Sequence, residues 1–212
     1  MNFKKLAFAA AITVSAATLQ ANAQKAYKEG AITYNIESPM GSMESKILFK
    51  GDSSVMQMQQ GPATIKVISA GDNDYRAILV DVPVASKKFA AVATPAELED
   101  EQAKLPELTF TPTTETKQIA GFNCKKVTAK DTKSNDTFDV WVTNDISLSI
   151  PNSLYAKAGG VPVDFYLFNM GKTHVTLKSV TDEKVPAGSF GIAADYQRIS
   201  LSDLQAMGGR RK

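Results

Sequence analysis

The sequence predicts a predominantly β protein of the α+β class: a curved antiparallel sheet with two or three helices packed on its concave face. Three observations predict it. Apolar and polar residues alternate with period two in short runs. Turn residues interrupt those runs at roughly ten-residue spacing, the rhythm of an antiparallel meander. Helix start and stop signals occur in only three short segments.

In chain order, Ile32, Tyr34 and Ile36 alternate with Thr33, Asn35 and Glu37. Ile47 and Phe49 then share one face, with Glu44, Lys46 and Lys50 on the other. Gly51-Asp52, Gly61-Pro62 and Gly71-Asp72-Asn73-Asp74 separate strands expected over Ser53–Gln59, Ala63–Ser69 and Tyr75–Val84. The second half repeats the pattern: one strand over Gln118–Lys130, a turn, then strands over Phe138–Thr143, Val161–Asn169 and Lys172–Val180. Ala77–Val80 and the run Val161 to Met170 are apolar on both faces, as expected where a sheet is covered twice. Among the helical segments, Thr94-Pro95-Ala96-Glu97 is a capping box with proline at the first helical position, and Pro106 ends that helix. Pro151 to Ala158 reads as a short helix stopped by Gly159-Gly160, and Leu201 to Met207 as another before Gly208-Gly209.

The chain has 212 residues, 43% of them hydrophobic and 22% charged, a globular balance. Its first 23 residues read as a secretory signal. Lys4 and Lys5 form the positive region, Leu6 to Leu19 the apolar region, and Ala21-Asn22-Ala23 the cleavage site. That apolar stretch is too short for a bilayer core of ~30 Å, and Gln24 offers no cysteine for lipid attachment. The expectation is an exported, periplasmic or secreted protein, not membrane-spanning, with residues 24–212 as a single β-rich domain. No repeat or linker divides that stretch. Removing the leader takes two lysines and no acids, so 22 basic and 22 acidic side chains remain. The mildly basic character belongs to the leader, and nucleic-acid binding loses its electrostatic driving force.

The side chains that could carry chemistry read as structural. One cysteine excludes an intrachain disulfide, and one histidine excludes a His-rich metal centre. As a nucleophile Cys124 would need an exposed position and a basic partner; an intermolecular disulfide is the alternative in an oxidising compartment. His174 falls on a polar strand face with Lys172, Thr176 and Lys178, and the chain holds no G-x-S-x-G elbow. Met40 with Met43, and Met56 with Met58, have spacings that suit cuprous ion. They lack a nearby histidine or cysteine, so pliable apolar packing is the preferred reading. Glu97, Glu99, Asp100 and Glu101 sit where acids complement a helix dipole. Asp72-Asn73-Asp74 lacks the glycine and glutamate of a calcium loop. Trp141 lies opposite Phe138, Val140 and Val142, either beneath a helix or lining a ligand cup. No enzyme, metal or cofactor is expected.

Several stretches together resemble a known group. Gly30-Ala31-Ile32-Thr33-Tyr34 is followed by Lys117-Gln118-Ile119-Ala120-Gly121-Phe122-Asn123-Cys124-Lys125-Lys126, by Val140-Trp141-Val142-Thr143-Asn144-Asp145-Ile146, and by Gly160-Val161-Pro162-Val163. In this order they resemble uncharacterised exported families of Gram-negative bacteria, the GLPGLI-type and related domains of unknown function. The GLPGLI string itself is absent. The resemblance implies an architecture similar to the lipoprotein carrier LolA: an incomplete barrel wrapped around helices, with an apolar cup for acyl chains. It supplies no binding residues. From the alternation itself, Ile32, Tyr34, Ile47, Phe49, Val140, Val142, Phe165 and Leu167 are the candidates to line such a cup, and they would equally make a dry core. The expected function is non-catalytic binding of a hydrophobic ligand, a lipid or lipoprotein acyl chain. The alternatives are an envelope scaffold or interaction protein without a small ligand, an enzyme acting through Cys124 or His174, or a copper-binding protein.

Overall fold

The computed structural model describes residues 24–38, 41–71, 74–150, 153–168 and 172–208. The leader expected over residues 1–23, its cleavage site, and Met40 lie outside them. The chain is mostly β, built around a large curved sheet that does not close. Its strands are β1 (Lys25–Tyr27), β2 (Glu29–Ser38), β3 (Gly41–Lys50), β4 (Ser53–Gln60), β5 (Ala63–Ala70), β6 (Tyr75–Val82) and β7 (Lys87–Val92). After helix α1 (Pro95–Lys104) come β8 (Leu108–Ile119), β9 (Phe122–Asp131), β10 (Thr137–Thr143) and β11 (Ile146–Leu148). The chain continues with β12 (Val161–Leu167), β13 (Thr173–Thr181), β14 (Gln197–Ile199) and helix α2 (Leu201–Gly208).

Twelve strands form one sheet in the order β14-β7-β6-β5-β4-β3-β2-β13-β12-β10-β9-β8, and β1 pairs in parallel with β11 beside it. Strands β2 to β7 form the expected antiparallel meander, and its register sets Ile32 opposite Ile47, and Ile47 opposite Met56. The single strand expected over Gln118–Lys130 is instead a hairpin. Ile119 pairs with Phe122 across a two-residue turn in which Ala120 (φ 52°) and Gly121 (φ 83°) are left-handed, the geometry that matches strand twist. The partner, β8, is polar and mostly exposed because it is the sheet's edge. Its Pro112 and the register shift between Pro112 and Thr116 blunt further pairing.

Helix α1 carries the expected capping box. The Thr94 amide donates to Glu97 Oε2 at 2.7 Å, and the Glu97 amide donates to Thr94 Oγ1 at 3.3 Å. The helix expected over Pro151 to Ala158 shrinks, within the described residues, to a 3-10 turn at Ser153–Tyr155. Its Tyr155 is buried, with the hydroxyl donating to the Tyr166 carbonyl at 2.5 Å, so this segment plugs the core rather than lying along it.

The sheet has two apolar cores, on opposite faces. In β3, Phe49 belongs to the larger, shared with β2, β9, β10, β12 and β13 and covered by Tyr27, Ile146, Tyr155 and Ala158. The adjacent Leu48 points the other way, into a smaller core of Val55, Ile68, Ala77, Leu79 and Ala90 capped by Phe190, Ile192 and Tyr196. The cover thus changes sides between β3 and β4. Each half of the sheet is sealed on one face. Double cover, expected for Ala77–Val80 and for β12, is found in neither: Ile78 and Val80 are only half-buried opposite Ala77 and Leu79, and opposite the buried Val163 and Phe165 stands Asp164, paired with His174 and Lys117.

Candidate functional site

The face that carries Phe49 extends beyond its own cover. Register places Ile47, Met56, Val67, Ile78 and Ala91 in one row across β3 to β7, and Met58, Ile65, Val80 and Phe89 in the next. Seven of these nine, from Met56 to Phe89 on β4 to β7, are half-buried apolar side chains, and Ala91 is buried. Period-two alternation made both faces of β6 apolar, and residues 190–196 cap the opposite one. The result is a contiguous apolar sheet face bordered by α1, whose Glu101 carboxylate pairs with the half-buried Arg76 guanidinium. Burial pushes the Arg76 pKa down.

The eight residues expected to line a cup come together on this face, but in its covered half. Ile32, Tyr34, Phe49, Val140, Val142 and Phe165 are buried in the larger core, and Ile47 and Leu167 pack against it. The rings of Tyr34 and Phe165 meet edge to face at 5.8 Å, and those of Tyr155 and Phe165 at 5.3 Å. Two polar groups interrupt the apolar surface where its two halves join. Ser45 is 1% exposed, and its Oγ makes no hydrogen bond among the described residues. It stands directly across from Tyr34. Burial alone raises the Tyr34 phenol well above the usual tyrosine value, with no hydrogen bond opposing it. An unpaired buried hydroxyl costs about 1–3 kcal/mol, so Ser45 is a costly feature of an otherwise apolar region. Simple alternation identifies Ser45 as inward-facing, since Ile47 and Phe49 follow it at two-residue steps, but only the fold reveals that its hydroxyl has no partner.

The remaining candidates are engaged elsewhere. Met43 and Met58 share the Ser45 face, Met43 being 38% exposed. Cys124 is buried, its thiol donates to the Phe122 carbonyl at 3.2 Å, and burial pushes its pKa up. That is the opposite of what an activated nucleophile needs. His174 faces Asp164 (Nε2 to Oδ1, 2.7 Å) and Glu37 (Nδ1 to Oε2, 3.4 Å) on the opposite, polar face. Burial works against the imidazolium, but the two carboxylates outweigh it and its pKa is raised. Asp164 also pairs with Lys117 at 3.2 Å, and that ammonium lies 4.1 Å over the Trp141 ring. Trp141 is therefore covered by a lysine, rather than by a helix or a ligand cup.

A cleft of about 390 Å³ opens where the β8–β9 hairpin meets the β10–β11 turn, lined by Lys117, Asn123, Cys124, Lys125, Val142 and Asp145 among others. Here the motif residues lace strands together. Thr143 Oγ1 donates to the Asn123 carbonyl at 2.9 Å, and Asp145 Oδ2 accepts from the Asn123 amide at 2.7 Å. The motif glycines have packing roles. A Cβ on Gly30 would stand 2.2 Å from the Thr181 carbonyl oxygen, and one on Gly160 2.8 Å from that of Thr143. No group of three or more histidine, cysteine or carboxylate side chains that could hold a metal occurs among the described residues. None of the described helices is long and apolar enough to cross a membrane.

Comparison with known proteins bears on the fold and the family. The solved structure of PNGF-II in a C2 space group superposes with a TM-score of 0.50 at 18% identity, over 84% of this chain. The overlap is 32% of that protein, so the chain spans about a third of its length and the likeness concerns the fold alone. No curated protein matches the sequence. The model of a family described as a domain of unknown function, DUF4412, matches residues 29–151, from the start of β2 past the end of β11. The chain therefore belongs to the DUF4412 family.

Proposed function

We propose that this protein is a non-catalytic periplasmic binding protein for a hydrophobic ligand, a lipid or lipoprotein acyl chain. The observation that carries the reading is the half-buried apolar face of Met56, Met58, Ile65, Val67, Ile78, Val80 and Phe89 on β4 to β7. Seven contiguous apolar side chains on one sheet face are more than a water-facing surface requires. Two of them are methionines, whose unbranched, polarisable side chains adapt to flexible apolar partners. Helix α1 borders the face, tied down through Glu101 and Arg76. The unclosed, curved sheet suits the carrier-like architecture implied by the resemblance to GLPGLI-type proteins and LolA. The acyl chain is assigned to the open half of the face, beyond the eight residues of the packed core.

A second reading is favoured by one observation. Those eight residues pack into a single core around Tyr155 and Phe165, as an envelope scaffold or interaction protein without a small ligand would require. Native mass spectrometry of the protein purified from the envelope, before and after solvent extraction, separates the two. An extractable lipid mass is the expected result. Absence of that mass, together with failure to bind the apolar fluorophore N-phenyl-1-naphthylamine, overturns ligand binding in favour of the scaffold.

A further inference from the structure

The apolar face contains one polar interruption, and its chemistry selects among hydrophobic ligands. Ser45 and Tyr34 are cross-strand partners at the centre of the β2–β3 pair. Ser45 is 1% exposed with an unpartnered Oγ among the described residues, and Tyr34 is buried. The hydroxyl of Tyr155, also buried in this core, donates to one backbone group of Tyr166 and accepts from another. Ile32 and Ile47 flank the hydroxyl pair on one side, Ile36 and Met43 on the other. The neighbouring charged residues Glu44 and Lys46 alternate onto the opposite face, where Glu44 pairs with Lys178. The surroundings therefore offer hydrogen bonds and no charge.

Met43 and Met58 stand on the same face as Ser45, and the rows of Met56 and Met58 continue it across β5 to β7. Methionines can move aside at little cost because three rotatable bonds let them repack. Swinging these methionines aside would bring the half-buried apolar rows within reach of Ser45 and Tyr34.

We propose that the ligand is an acyl ester of a lipid, its chain lying on the β4–β7 rows and its ester carbonyl accepting hydrogen bonds from the Ser45 and Tyr34 hydroxyls. The inference rests on the acyl-binding reading above. A neutral carbonyl suits two neutral donors, whereas a carboxylate buried here would have no cation beside it.

The test is competition against N-phenyl-1-naphthylamine bound to the delipidated protein, with dodecane, methyl dodecanoate and dodecanoate as competitors. The ester is expected to compete about tenfold better than the alkane, the worth of one buried hydrogen bond, and better than the acid at neutral pH. Ser45→Ala and Tyr34→Phe are each expected to erase the ester's advantage while leaving dodecane unchanged. Equal competition by ester and alkane, a preference for the acid, or an ester advantage that survives both substitutions overturns this inference but leaves acyl binding standing. Failure of all three competitors and of the fluorophore itself overturns acyl binding as well.

Discussion

Removing the Ser45 hydroxyl should stabilise the ligand-free protein. Ser45 is 1% exposed in the β2–β3 pair, and its Oγ has no hydrogen-bond partner among the described residues. Desolvating such a group without compensation costs about 1–3 kcal/mol. Ser45→Ala deletes that cost and loses the dispersion contacts of one oxygen, each worth only ~0.1–0.2 kcal/mol. The net expectation is a gain of about 1 kcal/mol, and Tm should rise by about 2–4 °C for a domain of this size. Urea unfolding of delipidated wild-type and variant protein, followed by circular dichroism, measures it. The midpoint should rise with the slope unchanged, because the surface exposed on unfolding is the same. A variant less stable than wild type would show that the hydroxyl is satisfied without a ligand, and the argument for a ligand-facing polar pair would fall with it. Stability gained where binding is lost is the usual mark of a group retained for function.

Two further outcomes follow from the geometry. His174 contributes stability through Asp164 and Glu37 while it is charged, and its pKa is raised above the ordinary 6.5. Its contribution is therefore full below pH 6.5 and lost as pH rises through the folded value. His174→Gln should cost stability at pH 5.5 and progressively less toward alkaline pH, read by urea midpoints; a cost independent of pH would refute the ion-pair account. Gly30→Ala puts a Cβ 2.2 Å from the Thr181 carbonyl oxygen at the β2–β13 pairing. It should destabilise by about 1–3 kcal/mol through overpacking, and a neutral effect on thermal unfolding would show that the two strands separate freely.

Much of the sheet was legible in local patterns, because a strand with one buried face must alternate. Ile32, Tyr34 and Ile36 did so, and all three are buried. The capping box at Thr94 and Glu97 was legible for a similar reason: both hydrogen bonds lie within four residues. The edge strand β8 was not, since Thr109, Thr111, Glu115 and Lys117 face water and an edge needs little apolar surface. Its turn was hidden too. Alanine at position 120 is an uncommon occupant of a left-handed turn, so Gln118–Lys130 read as one continuous run. The eight cup candidates lie in or against one core, and alternation carries no information about what lies above them.

The sequence by itself determined that this chain builds a β-rich sheet and where its first helix starts. Those are properties of neighbours along the chain. Only the tertiary structure decided which face of each strand is sealed. Leu48 and Phe49 are adjacent and both apolar, yet they enter different cores, because one cover comes from Ile146, Tyr155 and Ala158 and the other from Phe190, Ile192 and Tyr196. That change of sides leaves the Met56 and Met58 rows open and strands the Ser45 hydroxyl between them. Both depend on contacts between distant segments, where a period of two is silent.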